Sequence, residues 1–194
     1  MAKTKGPLFS ISASGALAKT LVYGAWKGID YVRQYVIPAN PKTEEQQEQR
    51  GFFTTAIDAW HVDGYTKDDV TAWNLYALAQ KIAASGFNMF VKLYVLAKVA
   101  VKTWGALTDC IIESILATSC SVTINVPSDL TGILYIGTSK TSMLTQFVGA
   151  YVDPGYTFTV IDLLADTRYY FYIANTIADE EARTGIYSFK TAAA

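Results

Sequence analysis

The sequence predicts an α+β, multidomain chain with a β-hairpin arm (residues 1–41), a helical domain (42–118) and a C-terminal antiparallel β-sandwich (119–194). Three observations predict this arrangement. Two prolines close together separate the arm from the middle region, apolar residues of the middle region recur at helical spacing, and the last part alternates apolar with polar residues.

Two strand-like runs, 21–26 and 29–36, flank Lys27-Gly28 in the arm. Glycine adopts the positive φ that tight hairpin turns need, so these runs predict a β-hairpin. A lone hairpin is marginally stable in water, and open strand edges invite pairing. We therefore expect the arm to bind a partner surface through its aromatic and basic residues, which are Tyr23, Trp26, Tyr31, Arg33 and Tyr35. Pro38 and Pro41 then predict an extended linker.

Three helices are predicted in the middle region. Thr43 to Gln46 and Thr66 to Asp69 have the pattern of capping boxes, and Ser85 suits the cap of a third helix. Trp60, Trp73 and Phe90 are expected in the core of these helices. On the third helix one face is predicted to carry Phe90, Leu93, Tyr94, Ala97, Val101 and Trp104.

Two segments of the middle region need separate interpretation. The apolar stretch from 87 to 104 contains Lys92, Lys98 and Lys102, so we interpret it as a buried helix and not as a membrane span. The stretch from 105 to 118 fits either a helix or a buried strand.

Short alternating runs separated by turn residues predict the C-terminal sandwich. Val122, Ile124 and Val126 fall on one face of the first run, and residues 127–129 form a predicted turn. The remaining predicted strands are 132–137, 158–161, 168–173 and 185–190.

Composition and motifs argue against catalysis. A net charge of −1 with no basic run predicts no nucleic-acid partner, and residues 1–7 lead into no long apolar segment of a secretory signal. The single histidine, His61, cannot build a histidine-rich metal site, and no nucleophile motif accompanies it. We therefore predict no catalytic residue, no cofactor and no metal site. Cys110 and Cys120 are too few for a disulfide scaffold, and whether they pair is open.

Charged residues make up 17% of the chain, against roughly 25% in typical soluble domains. This low fraction has two interpretations: a surface largely covered by partners, or a well-filled β domain rich in tyrosine.

The segment from Leu163 to Ile173, with Asp166-Thr167 before Tyr169, resembles the corner and penultimate strand of fibronectin type III domains. The ending from Tyr187 to Thr191 resembles their last strand, whereas Ala165 stands where the family usually has proline. The resemblance implies that Tyr169 is the structural corner tyrosine. By strand alternation Tyr170 and Tyr172 then point outward, as an interface candidate or a surface for sugars.

The N-terminal half resembles small virion proteins of tailed bacteriophages and prophages. The resemblance is carried by residues 30–33, by Asn40 to Arg50, and by 73–76 with 85–90. It implies a non-enzymatic virion component, made in the host cytoplasm, that contacts capsid or tail subunits and forms homo-oligomers. A capsid decoration or head-associated role is the first expectation. Alternatives are a tail, neck or fibre component, or a module that binds carbohydrate or a host surface.

Overall fold

The computed structural model describes residues 2–3, 14–37, 39–40, 42–126, 132–175 and 179–193. The predicted prolines of the linker (38 and 41) and the predicted turn at 127–129 lie outside these residues. The chain divides into two compact units, residues 1–43 and 44–194. The three helices and the sandwich thus share one compact unit, and the predicted boundary after residue 118 lies inside it.

The described strands of the first unit are β1 (Ala2–Lys3), β2 (Gly15–Leu17), β3 (Leu21–Trp26) and β4 (Ile29–Gln34). They form an antiparallel sheet in the order β1-β4-β3-β2. The predicted hairpin is present, with Leu21 opposite Gln34 and Trp26 opposite Ile29. Lys27 and Gly28 both have positive φ (51° and 75°), as a two-residue turn of the hairpin type requires.

The helices of the second unit are α1 (Glu44–Val62), α2 (Lys67–Ala79) and α3 (Gly86–Val99). The capping box predicted before α2 is present: the Thr66 N–H donates to Asp69 at 2.8 Å, and the Asp69 N–H donates to Thr66 at 3.3 Å. Ser85 caps α3 as predicted. Two residues assigned to the third helix lie beyond its end. Val101 is exposed, and Trp104 lies in a strand because the chain turns at Ala100.

A cluster of aromatic rings forms the core of the helices around Phe90, which is fully buried. The Phe90 ring lies 5.0 Å from Trp60 and 5.5 Å from both Trp73 and Trp104, centroid to centroid. Tilted and edge-to-face contacts of this kind add to the burial energy of each ring. Trp104 thus joins the predicted cluster from a strand and not from the helix.

The sandwich strands are β6 (Thr108–Glu113), β7 (Cys120–Asn125), β8 (Gly132–Gly137), β9 (Thr145–Val148), β10 (Ala150–Val152), β11 (Gly155–Val160), β12 (Arg168–Asn175) and β14 (Tyr187–Lys190). They form two four-stranded antiparallel sheets, in the orders β10-β11-β7-β6 and β14-β12-β8-β9. Immunoglobulin-type sandwiches pair their strands in this order, so the predicted β-sandwich is confirmed. The ambiguous stretch 105–118 contains strands and no described helix. Two further strands, β5 (Thr103–Gly105) and β13 (Glu180–Ala182), form a separate parallel pair.

Alternation along β12 fills the sandwich core, with Tyr169, Phe171 and Ile173 buried. The Tyr169 hydroxyl accepts a hydrogen bond from the Leu164 N–H at 2.9 Å. This is the contact to the upstream backbone that a tyrosine corner makes. It fixes the turn that enters β12.

The buried carboxylate of Asp69 joins α2 to both sheets of the sandwich. One oxygen accepts from the backbone N–H groups of Thr66 and Asp109, at 2.8 and 2.9 Å. The other accepts from the Tyr187 hydroxyl at 2.5 Å and, more weakly, from the Cys110 N–H at 3.4 Å. Asp109 and Cys110 belong to β6, whereas Tyr187 belongs to β14. Burial, with the Asp69 carboxylate adjacent, raises the pKa of the Tyr187 phenol, so this phenol stays a donor.

Two glycines allow other segments to approach the backbone of α2 closely. A Cβ atom on Gly185 would lie 2.3 Å from the Ala72 carbonyl carbon, and one on Gly86 would lie 2.5 Å from the Asn74 nitrogen. The Ile186 N–H also donates to the Ala72 carbonyl oxygen at 2.9 Å. The loop before β14 and the start of α3 therefore hold the same turn of α2 from two directions.

Cys110 and Cys120 are free and buried in the same sheet. Glu113 pairs with Ser121, so Cys120 lies opposite the residue after Glu113, four positions beyond Cys110. Four strand residues span about 13 Å, well beyond the roughly 7 Å between Cα atoms that a disulfide tolerates. Burial raises the pKa of both thiols, that of Cys120 to about 11.

We predict that Asp69→Asn lowers the free energy of unfolding by about 3 kcal/mol, because an amide nitrogen would face donors that need an acceptor. Asp68→Asn is the matched control, since Asp68 is exposed in the same helical turn. It should cost less than about 1 kcal/mol. Urea denaturation measures both, and equal losses would contradict the bridging role of Asp69.

We predict that three glycine-to-alanine changes alter the free energy of unfolding in opposite directions. Gly185→Ala and Gly86→Ala force a Cβ into the backbone of α2 and should each cost more than about 2 kcal/mol. Gly51→Ala, in α1 with open space around it, should stabilise by about 0.5–1 kcal/mol because glycine is a poor helix former. Thermal unfolding measures all three variants. A Gly185→Ala variant as stable as the wild type would contradict the close approach of this loop to α2.

We predict a loss of stability in alkali. The thiols stay neutral in the folded chain but ionise above a pKa of about 8.5 once unfolded, so the free energy of unfolding falls as pH rises beyond that value. Cys110 alone should contribute a loss of about 1 kcal/mol at about pH 9.5. The Cys110→Ala/Cys120→Ala variant should lose the decline below about pH 10, where the buried tyrosines take over. An unchanged pH profile in urea titrations would contradict this.

Candidate functional site

Residues 14–37, which include β2 to β4, contain the aromatic and basic residues that were predicted to bind partners. Trp26 and Arg33 are exposed, whereas Tyr23, Tyr31 and Tyr35 are half-buried. Among residues 14–37, every side chain is exposed or half-buried and none is buried. Trp26 is 71% exposed and Ile29, opposite it on β4, is 50% exposed. Val36 and Ile37 follow at 69% and 76%. The described residues of this sheet therefore form no core of their own.

The register distributes the predicted residues over both faces of the sheet. Opposed residues of antiparallel strands share a face, so Trp26 and Ile29 lie on the same face as Tyr31 and Arg33. Tyr35 continues this face by strand alternation. Tyr23 lies on the opposite face, paired with Val32. Four of the five predicted interaction residues of the arm are thus on one face.

The position of the Tyr31 ring depends on Gly24, the residue opposite it on β3. A Cβ atom on Gly24 would lie 2.7 Å from the Tyr31 hydroxyl oxygen, so the phenol lies directly across the β3 backbone. The absence of a side chain at Gly24 makes room for this ring. Tyr31 is consequently half-buried and oriented along the face that also carries Trp26 and Arg33.

Tyr170 and Tyr172 lie on the outer face of their sheet, as strand alternation predicts. The helices of the same unit cover part of this face. Tyr170 packs against the aromatic cluster of the helices, and both tyrosines are half-buried. The Tyr172 ring stacks on Tyr135 at 4.8 Å with an 8° interplanar angle.

Arg183 covers the Tyr172 ring as well, and sequence reasoning missed it. The guanidinium carbon lies 4.2 Å from the Tyr172 ring centroid and 4.6 Å from that of Tyr76. The result is a stacked column, Tyr76–Arg183–Tyr172–Tyr135, that links α2 to β12 and β8. Partial burial raises the pKa of Tyr172, and the charge of Arg183 opposes this shift. No sequence motif predicts this column, because its four residues are far apart in the chain.

Groups capable of acid–base or metal chemistry are dispersed in the described part of the chain. His61 lies exposed in the last turn of α1. Asp69 is committed to its structural hydrogen bonds, and Glu181 pairs with Lys102 at 3.1 Å. No group of three or more His, Cys, Asp or Glu side chains that could hold a metal occurs among the residues described.

None of the three helices in the described ranges combines the length and the apolar character that a membrane span would need.

Residues 13–101 match the model of a family of unknown function (DUF6266). The matched region covers β2 to β4 of the N-terminal sheet and the three helices, and it ends before β5 begins. No curated protein matches the chain.

Among solved structures, three similar ones align with slightly less than half of the chain. A structure described as a myokine is 17% identical and covers 47% of this chain and 98% of its own, with a TM-score of 0.38. The FN5 domain of Drosophila Lar is 20% identical and covers 48% of this chain and 100% of its own, with a TM-score of 0.36. The fibronectin type III domain of human fibronectin type III domain containing protein 3 is 18% identical and covers 48% of this chain and 88% of its own, with a TM-score of 0.35. TM-scores this low carry no functional inference, and the sandwich assignment rests on the order of its strands.

Proposed function

We propose that this protein is a non-enzymatic structural component of a phage virion, most simply a capsid decoration or head-associated protein. Its N-terminal sheet binds neighbouring virion subunits, and its second unit is displayed. The observation that carries the assembly role is the sheet of residues 14–37, which is rich in apolar side chains and buries none of them. The virion assignment is supported by the resemblance of the N-terminal half to tailed-phage proteins.

Burial of the exposed apolar side chains of this sheet by another protein would be energetically favourable. Complete burial of one large apolar side chain contributes about 1.5–3 kcal/mol. Trp26, Ile29 and Ile37 are each at least half exposed, so a partner that covered them would gain several such contributions. Tyr31 and Arg33 share the face of Trp26 and belong to residue types enriched at interfaces.

The partners fitting this proposal are capsid subunits or other copies of this chain. A position in the tail, neck or fibre would use the same sheet and differ only in the copy number per particle. The low charged fraction of the chain suits a protein whose surface is partly covered in an assembly.

The carbohydrate-binding alternative has less support. Sugar recognition at Tyr172 would need an open ring face, whereas this ring is stacked by Tyr135 and by Arg183. Tyr170 packs against the helices. No observation in the described residues favours a glycan site at these two rings.

We predict that Trp26→Ser/Ile29→Ser reduces incorporation into particles at least tenfold, because it removes the apolar centre of the binding face. Val101→Ser is the matched control, since Val101 is a highly exposed apolar residue of the second unit. Quantitative mass spectrometry of purified particles measures copy number for each variant. Wild-type protein absent from the particles, or a double variant incorporated as well as the wild type, would overturn the proposal.

A further inference from the structure

Arg183 has an uncommon environment for an arginine that is half-buried. Its guanidinium carbon lies over two aromatic rings, 4.6 Å from the Tyr76 centroid and 4.2 Å from the Tyr172 centroid. Its Nε atom is buried and has no hydrogen-bond acceptor in the described structure. The ion pairs among the described residues join Lys102 to Glu181 and Lys190 to Asp166, so Arg183 takes part in none. Asp129 is the one acidic residue outside the described ranges.

A cavity lies beside this arginine, between α2 and the loop that joins β8 to β9. Its charged and polar lining consists of Arg183, Lys140, Gln80, Thr141 and Ser142, together with Tyr76 and Tyr172. The lining holds two cationic residues and no carboxylate. A cavity with this lining presents N–H and O–H donors and a positive charge, and it supplies no anion of its own.

We propose that this cavity binds an organic carboxylate, with Arg183 as the principal contact. The guanidinium is a planar fork of donors that matches a carboxylate with two parallel hydrogen bonds. Two tyrosine rings pack against the guanidinium, and its Nε–H is left without an acceptor that a carboxylate could supply. The stacking also holds the fork in one orientation, so binding orders little further.

Other lining residues favour an organic acid over an inorganic anion. Met143, Leu144 and Ile186 bring apolar surface to the same cavity. The carbon skeleton of a carboxylic acid can pack against this surface, whereas phosphate or sulfate has no such group. The polar residues Gln80 and Ser142 can satisfy the outer lone pairs of the carboxylate.

Two sources could present this chemistry, an acidic protein side chain and an acidic sugar. N-acetylglutamate represents the first and glucuronate the second. Binding of either one supports the carboxylate site, and the tighter of the two indicates the source.

The test uses the full chain labelled with 15N and titrated with glutarate, N-acetylglutamate, glucuronate and inorganic phosphate against a sodium chloride control of equal ionic strength. We expect saturable shifts of the Arg183 Nε–H signal and of backbone amides in residues 139–144, with dissociation constants in the millimolar range. Lys140→Gln should weaken binding roughly two- to fivefold, because an exposed charge contributes little. Lys92→Gln, on an exposed position of α3, should leave binding unchanged.

Arg183→Lys keeps the charge and removes the fork, so it should weaken binding at least tenfold. Should this variant fail to fold, Lys140→Glu replaces it, because removing a favourable charge and adding a repulsive one at the cavity mouth should weaken binding more than Lys140→Gln does, by at least about tenfold. Carboxylate titrations without saturable shifts, or shifts with phosphate alone, would overturn the proposal. Equal affinities in the wild type and in Lys140→Glu would overturn it as well.

Discussion

One buried carboxylate, that of Asp69, determines how the helices and the sandwich fit together. It receives donors from the cap of α2, from β6 in one sheet and from Tyr187 in the other. A buried charge that lost these donors would be costly, so the three elements are held in one relative position. The close approaches of Gly185 and Gly86 to α2 depend on that position, because backbone contacts at this distance tolerate little displacement. Asp69 therefore determines which surface of the sandwich the helices cover.

Because the helices cover part of the C-terminal sandwich, less of its surface is available to a partner. Its outer face at Tyr170 and Tyr172 is occupied by the protein's own helices and by Arg183, and so it is not a free binding surface. The family match ends at residue 101, between the helices and the sandwich, yet the two parts form one compact unit. Residues 14–37, in contrast, have exposed apolar side chains and no buried side chain.

The sequence predicted those features whose causes are local. The box at Thr66 and Asp69, the cap at Ser85 and the turn at Lys27-Gly28 each depend on a few neighbouring residues. Alternation predicted β7, β8 and β12 because their buried positions recur every second residue. Features that depend on distant residues were missed. The Arg183 column joins four separate segments, and the same Asp69 that was recognised as a capping residue also bridges two sheets, which no local pattern reveals.

Residues 44–193 form a unit with its own core, and we propose that residues 14–37 bury their side chains only when the protein assembles. Hydrogen–deuterium exchange, compared between the free chain and assembled particles, distinguishes these two parts of the chain. We expect that amides in 14–37 exchange quickly in the free chain and become strongly protected in particles. Amides of the helices and the sandwich should be protected in both. Unchanged exchange in 14–37 on assembly, with new protection confined to the second unit, would show that the N-terminal sheet is not the surface that assembles.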